Sequence, residues 1–288
     1  MKAFIKKAVL FLAVFLVFLV FNTGFNYLAI RHKGSGLPAC STLIMGDSHA
    51  VMTIDPESFS NASNVAQFAE PLVITYWKLK SLAKEHKPDT VVLSIGTHNF
   101  SSLNDDKLTT GTAFSFFEKC YPVAKPFELD RMLSVNLDAY YKALIRHIAL
   151  YPHLNHDAYL GSFEPRAARG DVLDAREAIK RHYYTGEVQR GVSNAALVYT
   201  DSIISYCQQE AIVLVAVSTP LHPKYLQSVP ADFLDAFDSS MQAMEDQGVI
   251  VIDMRQSGYE EALFYDTDHL NRQGARIFSA ALGKRLGR

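Results

Sequence analysis

The most uneven stretch of hydrophobicity in the chain lies at its start. Residues 8–21 read AVLFLAVFLVFLVF without one polar side chain, and the uncharged run continues to Ile30. A helix of about 20 apolar residues spans a bilayer core. Lys2, Lys6 and Lys7 precede the run, which predicts a cytoplasmic N-terminus, although Arg31 and Lys33 flank the other end. A cleaved signal peptide shares this basic start and apolar core. The following NTGFNYLAI is bulky where a cleavage site needs small residues, so the pattern reads as an uncleaved anchor over 1–31. LPAC, ending at Cys40, faintly resembles a lipoprotein box but lies far from the apolar core. Residues 32–40, HKGSGLPAC, read as a linker.

Beyond Cys40 the pattern changes to short apolar runs at 41–45, 64–68, 90–95, 211–217 and 249–253. The last three are rich in Val and Ile and nearly continuous, as parallel strands covered on both faces are. Segments 72–86, 193–210, 232–247 and 272–286 carry apolar residues at helical spacing. Strands alternating with helices predict one three-layer α/β domain over 41–288 with a five-stranded parallel sheet. Residues 101–192 break that rhythm. They are rich in aromatic and basic residues, show no clear strand, and read as a mostly helical insertion on the loop side of the sheet, where substrate recognition often resides.

Composition narrows the function classes. The formal net charge is −2, with 20% charged and 49% hydrophobic residues. That gives no electrostatic footprint for nucleic acid. Cys40, Cys120 and Cys207 are sparse and odd in number, against a disulfide framework or a zinc knuckle, with room for one disulfide in an oxidising compartment. No cofactor motif is present; KGSG lacks the Gly-Lys-Ser/Thr ending of a phosphate loop.

Candidate chemistry gathers at the predicted strand ends. The first strand runs into Gly46-Asp47-Ser48-His49, the third into Gly96-Thr97-His98-Asn99, and the fifth is followed by Asp266-Thr267-Asp268-His269. In an open α/β sheet the ligand crevice lies outside the carboxyl ends of the strands, so these clusters can converge. Each has a plain structural alternative: Gly-Asp-Ser is an ordinary turn, and acidic residues beside His often start helices.

Taken together the blocks resemble the SGNH (GDSL-type) hydrolase superfamily. Gly46-Asp47-Ser48 is similar to its first block and Asp266-Thr267-Asp268-His269 to its last, with Asn271 and Gly274 resembling the entry to its C-terminal helix. The third block, normally Gly-x-Asn-Asp, is Gly96-Thr97-His98-Asn99 here, with the asparagine displaced by one. A second block aligned on Asn64 puts Ala69 where the family carries glycine. The resemblance covers roughly 40–100 and 205–288. It implies a flavodoxin-like sandwich and a serine acyl-enzyme, with Ser48 as nucleophile, His269 as base and Asp266 orienting it. The backbone N–H groups of Ser48 and Ala69 and the side chain of Asn99 or His98 become oxyanion donors. Asp47, His49 and Asp268 become candidates for the pocket wall, with Asp268 also a candidate helix start.

The implied reaction is hydrolysis or transfer of O-acyl (acetyl) groups on cell-envelope or exported polysaccharide, with the domain outside the cytoplasmic membrane. A membrane-bound O-acyltransferase is the partner class that goes with transfer. A lipid esterase and a non-catalytic glycan-binding envelope protein are the alternatives. Elsewhere, His147, His153, His156 and Asp157 read as a polar or substrate-facing patch rather than a metal site. RHYY at 181–184 could stack sugar rings, although core and surface aromatics are commoner, and Trp77 reads as core.

Overall fold

A computed structural model describes residues 1–32, 35–129, 131–151, 157–169 and 174–287. Lys33 and Gly34 of the expected linker, and His153 and His156 of the expected polar patch, lie outside the described residues. The domain is built on five strands: β1 (Thr42–Met45), β2 (Ala62–Asn64), β3 (Thr90–Ser94), β4 (Val213–Ser218) and β5 (Ile250–Asp253). All neighbours pair in parallel in the order β2-β1-β3-β4-β5. In register, Met45 lies beside Leu93, Val91 beside Leu214 and Val217 beside Ile252.

Successive side chains of a strand point to opposite faces, and here both faces are covered. Leu43, Met45, Val91, Leu93, Leu214 and Ala216 pack on one side with the helices Leu72–His86, Asn194–Gln209 and Ala231–Asp246. Ile44, Val92, Val215, Val217 and Ile252 pack on the other with Ser48–Thr53 and Arg272–Arg285. That explains why the central strands lack alternation. Leu93, fully buried, is worth about 2–5 kcal/mol against Ala at such a position. Trp77 is core. The three cysteines are buried and free, so no disulfide contributes.

Four helices begin and end within one residue of the sequence expectation. The edge strand differs: it runs Ala62–Asn64, not 64–68. An edge strand needs little apolar surface, so polar ASN can pair with Thr42–Ile44. Past it, the Asn64 Oδ1 accepts the Ala66 N–H (3.0 Å), while Val65 and Gln67 still donate to the carbonyls of Ile44 and Gly46. Between β3 and β4 lie the helices Leu103–Thr109, Ala113–Cys120, Pro126–Leu129, Leu137–Leu144 and Arg176–Tyr183, a π-helical turn at Ile145–Leu150, and a two-stranded hairpin, Tyr184–Thr185 with Val188–Gln189.

Among the described residues one helix, Lys2–His32, is long and apolar enough to cross a membrane or to serve as a signal sequence. Its two buried asparagines lie one turn apart on one face. Asn22 donates to the Ala149 carbonyl (2.8 Å), and Asn26 donates to those of Ile148 (2.9 Å) and Tyr151 (2.7 Å).

Candidate active site

The order 2-1-3-4-5 reverses direction between β1 and β3, and a crevice forms outside the carboxyl ends at that point. The chain leaves β1 through Gly46. Its φ is +132°, and a Cβ there would stand 2.8 Å from the Ser94 carbonyl oxygen. Only glycine allows that approach. Asp47 then caps the helix Ser48–Thr53, accepting from the His49 N–H (3.0 Å). Ser48 thereby stands at the mouth of a cleft of about 370 Å³ that Asp47, Ala69, His98, Asp266 and His269 also line.

The distant Asp266–His269 segment arrives from the other side. Leu270 bridges to Phe264, and the Asn271 Oδ1 caps the final helix by accepting from the Gln273 and Gly274 N–H groups. A Cβ at Gly274 would sit 2.4 Å from the Leu263 carbonyl oxygen, so glycine lets the helix start against this loop. Asp268 does not start that helix, because Asn271 does. The fixed loop directs His269 at Ser48: Nε2 lies 2.8 Å from Oγ, and Nδ1 lies 2.9 and 3.1 Å from the Asp266 oxygens. A carboxylate can only accept, so Nδ1 carries the proton and Nε2 is free to accept from the serine hydroxyl.

Ser48 and Ala69 both line this cleft and offer backbone donors. Neither the Ser48 nor the Ala69 N–H has an acceptor among the described residues. Ala69 takes φ +59°, a left-handed conformation that strains a residue with a Cβ. Neighbours hold it there. Lys107 Nζ donates to the Ala69 carbonyl (3.0 Å), and a buried Glu70–Lys78 pair (2.5 Å) ties the loop to Val65 and Thr75. Asn64 donates to the carbonyls of Ala50 and Ile54, joining this loop to the serine helix.

Asn99 makes bonds that bear on its expected role. Its Oδ1 accepts from the Gly96 N–H (2.7 Å), and one of its two Nδ2 hydrogens goes to Asp47 (2.9 Å). His98 instead lines the cleft, with Nε2 2.5 Å from the same Asp47 oxygen. Nε2 must carry the proton to bond a carboxylate. A neutral His98 therefore presents no N–H at Nδ1, and only the imidazolium could serve an oxyanion. Of the expected wall residues, Asp47 lines the cleft, whereas His49 and Asp268 lie behind it, 3% and 1% exposed. His49 stacks beneath His98 (4.5 Å between centroids) and bonds Thr219 through Nδ1 (2.8 Å).

Burial and charge set the protonation of the cluster. Burial pushes His49 and His182 well below the ordinary histidine range. Burial alone would raise Asp47, but His98 and the His49 N–H hold it well below the usual carboxylate range. Burial would likewise lower His269, but Asp268 and Asp266 outweigh it and push the imidazole up to about 9. Burial raises Asp268, and neither of its oxygens has a hydrogen-bond partner among the described residues. Among the described residues, two groups could bring ligand atoms within 4.8 Å of one another for a metal: Asp47, His49 and His98, or His49, Asp268 and His269. In each, an ion would compete with a bond already made, His98 to Asp47 or His269 to Asp266.

Sequence reasoning missed several groups at the cleft. His182 lines it, stacked on His98 (5.1 Å), and its Nδ1 starts a chain through Tyr225 and Tyr183 to Thr97. Lys107, Arg166 and Arg181 line it too. Basic character in residues 101–192 was the signal for Lys107 and Arg166, whereas Arg181 and His182 lie in the RHYY stretch already singled out. Of RHYY, Tyr183 is core and Tyr184 partly buried, so the tyrosines offer no sugar platform in the cleft. His147 bonds Glu118, away from the cleft.

No protein-family model matches the chain, and no curated protein matches it. Among solved structures, a lipase/acylhydrolase from Enterococcus faecalis is 10% identical, covering 85% of this chain and 94% of its own, with a TM-score of 0.42. The psychrotrophic esterase EstA from a Pseudoalteromonas species is 12% identical, covering 86% and 100%, with a TM-score of 0.42. Est24, a carbohydrate acetylesterase from Sinorhizobium meliloti, is 11% identical, covering 86% and 98%, with a TM-score of 0.38. Likenesses this distant carry no argument about activity.

Proposed function

We propose that this chain is a serine acyl-ester hydrolase or O-acyltransferase of SGNH type, working through an acyl-enzyme on Ser48. The observation that carries the reading is the continuous bonding of Ser48 Oγ, His269 and Asp266, across 221 residues of sequence. Ser48 attacks the ester carbonyl while His269 takes its proton. Asp266 holds the imidazole in its tautomer and stabilises the imidazolium. The Ser48 and Ala69 N–H groups receive the negative charge on the carbonyl oxygen, one such donor being worth about 10²–10³ in kcat. His269 returns the proton to the leaving alkoxide. Water or a sugar hydroxyl then attacks the acyl-serine, with His269 again as base, which gives hydrolysis or transfer.

The substrate in this reading is an O-acetylated polysaccharide of the cell envelope. The apolar helix Lys2–His32 supports an anchored domain, and Lys2, Lys6 and Lys7 before it favour its outer-side placement. A membrane-bound O-acyltransferase would be the partner for transfer.

The test is fluorophosphonate labelling of the full chain in neutral detergent, with turnover of a small acetyl ester, for wild type, Ser48→Ala and His269→Ala. Ser48-dependent labelling with turnover supports hydrolysis, and labelling with little turnover supports transfer. A folded wild type that takes no label would sink the reading in favour of a non-catalytic glycan-binding protein.

A further inference from the structure

The cleft in front of Ser48 is strongly cationic on one side. Lys107 comes from the helix Leu103–Thr109, Arg166 from the segment 157–169, and Arg181 from the helix Arg176–Tyr183. All three reach the wall from the insertion, yet none belongs to the bonded Ser48–His269–Asp266 set. The two carboxylates lining the cleft are hydrogen-bonded to other groups, Asp47 to His98 and Asn99 and Asp266 to His269, and among the described residues neither lies within 4.0 Å of a cleft cation, although Asp47 favours the charged form of Lys107.

Several cations elsewhere in the chain are paired with carboxylates. Arg176 bonds Asp174, Arg190 bonds Asp106, and Arg255 bonds both Asp238 and Asp253. The cleft cations differ. Arg166 has no carboxylate within 4.0 Å among the described residues. Its guanidinium is held 5.3 Å from the Phe68 ring centroid and 5.4 Å from that of Tyr265, and it donates to the Tyr265 hydroxyl (3.2 Å). Among the described residues Lys107 donates to neutral acceptors, the Ala69 carbonyl and Asn104 Oδ1, and burial pushes its ammonium down to about 8 against the pull of Asp47. The carboxylate nearest Arg181 is the buried Asp268, at 4.0 Å, and the Arg181 side chain is 60% exposed. A guanidinium fixed by aromatic faces and left without a carboxylate is organised for a planar anion.

We propose that the ester substrate carries an anionic group, a carboxylate or a phosphate, that seats against Arg166, Arg181 and Lys107 beside Ser48. This rests on the esterase reading and names its substrate class. An acidic sugar such as a uronate supplies the carboxylate, and a phosphorylated glycan or a lipid headgroup supplies the phosphate. His98, His182 and His269 also face the cleft. His182 is neutral by burial and His269 is cationic below about pH 9, so neither opposes an anion.

The experiment uses three acetylated methyl galactosides that differ only at C6, bearing hydroxyl, carboxylate or phosphate. Acetate release is measured with the full chain in neutral detergent at low ionic strength, for wild type, Ser48→Ala, Arg166→Gln/Arg181→Gln and Arg181→Glu. The readout is the ratio of kcat/KM for each anionic ester to that for the neutral one. The expected ratio is about tenfold in favour of an anion, falling towards unity in the double variant and at about 1 M salt, and below unity in Arg181→Glu. Whether carboxylate or phosphate gains more identifies the source of the anion. Ser48-dependent turnover with equal ratios overturns the anionic site and leaves the esterase reading standing. If no ester is turned over through Ser48, the esterase reading fails. Binding of the three deacetylated sugars to wild type and double variant then decides the site: equal affinities overturn it, and an anion preference lost in the variant upholds it.

Discussion

The carboxylate of Asp268 lies 3.7 Å from Nδ1 of His269 without hydrogen-bonding to it, because that nitrogen is turned to Asp266. Asp268 is 1% exposed, so its charge acts on the imidazole with little screening by water. A protonated His269 cannot accept the Ser48 proton, so raising its pKa moves the onset of activity to higher pH. Ester turnover is expected to climb from neutral pH and level off only above about pH 9. Asp268→Asn keeps the volume and removes the charge, so the acid limb should shift towards lower pH. A wild-type limb near pH 6.5 that Asp268→Asn leaves in place would refute this electrostatic account.

Asn99 is read as a support for Asp47 rather than as an oxyanion donor. Asn99→Ala leaves a buried carboxylate short of one donor, a loss of about 1–3 kcal/mol. Urea unfolding should show that drop. Unchanged stability with a hundredfold fall in kcat would restore the oxyanion role.

Ala69 occupies a left-handed backbone position that glycine would hold without strain. Relief of about 1–2 kcal/mol of strain is offset by the freer unfolded chain of glycine. Ala69→Gly should therefore change stability by less than about 1 kcal/mol and retain activity. Ala69→Val, branched at Cβ, should lose both. Thermal unfolding beside ester turnover checks the pair.

Lys78 and Glu70 are both buried beneath the Ala69 loop. Lys78→Met strands the carboxylate and should cost about 3–5 kcal/mol. Combining it with Glu70→Leu should recover most of that loss in chemical denaturation. A double variant no more stable than Lys78→Met would argue against the pair as the cause.

Asn22 and Asn26 satisfy carbonyls of the turn Ile145–Leu150 and Tyr151. Asn22→Leu/Asn26→Leu removes these bonds, each worth about 1 kcal/mol. Hydrogen exchange over 145–151 should quicken by roughly tenfold or more, with Ser48 labelling unchanged. Unaltered exchange would mean that the asparagines do not couple the apolar helix to the domain.

The sequence by itself determined the parallel sheet, its four long covering helices and the meeting of Ser48 with Asp266 and His269. Strands buried on both faces must be apolar throughout, and helices must repeat at 3.6, so both leave a local signature. Gly46 and Gly274 mark backbone approaches that no Cβ permits. The edge strand escaped, because pairing on one side asks little of its side chains.

Only the tertiary structure decided which way Asn99 turns, that Asp268 stands behind His269 rather than at a helix start, and that His182, Lys107, Arg166 and Arg181 reach the cleft. Those outcomes depend on partners distant in sequence. Asp47 draws in Asn99 across 52 residues, Phe68 and Tyr265 hold Arg166, and Asp268 charges His269 through space. A hydrogen bond or a Coulomb field depends on distance in space, and residue spacing along the chain does not encode it.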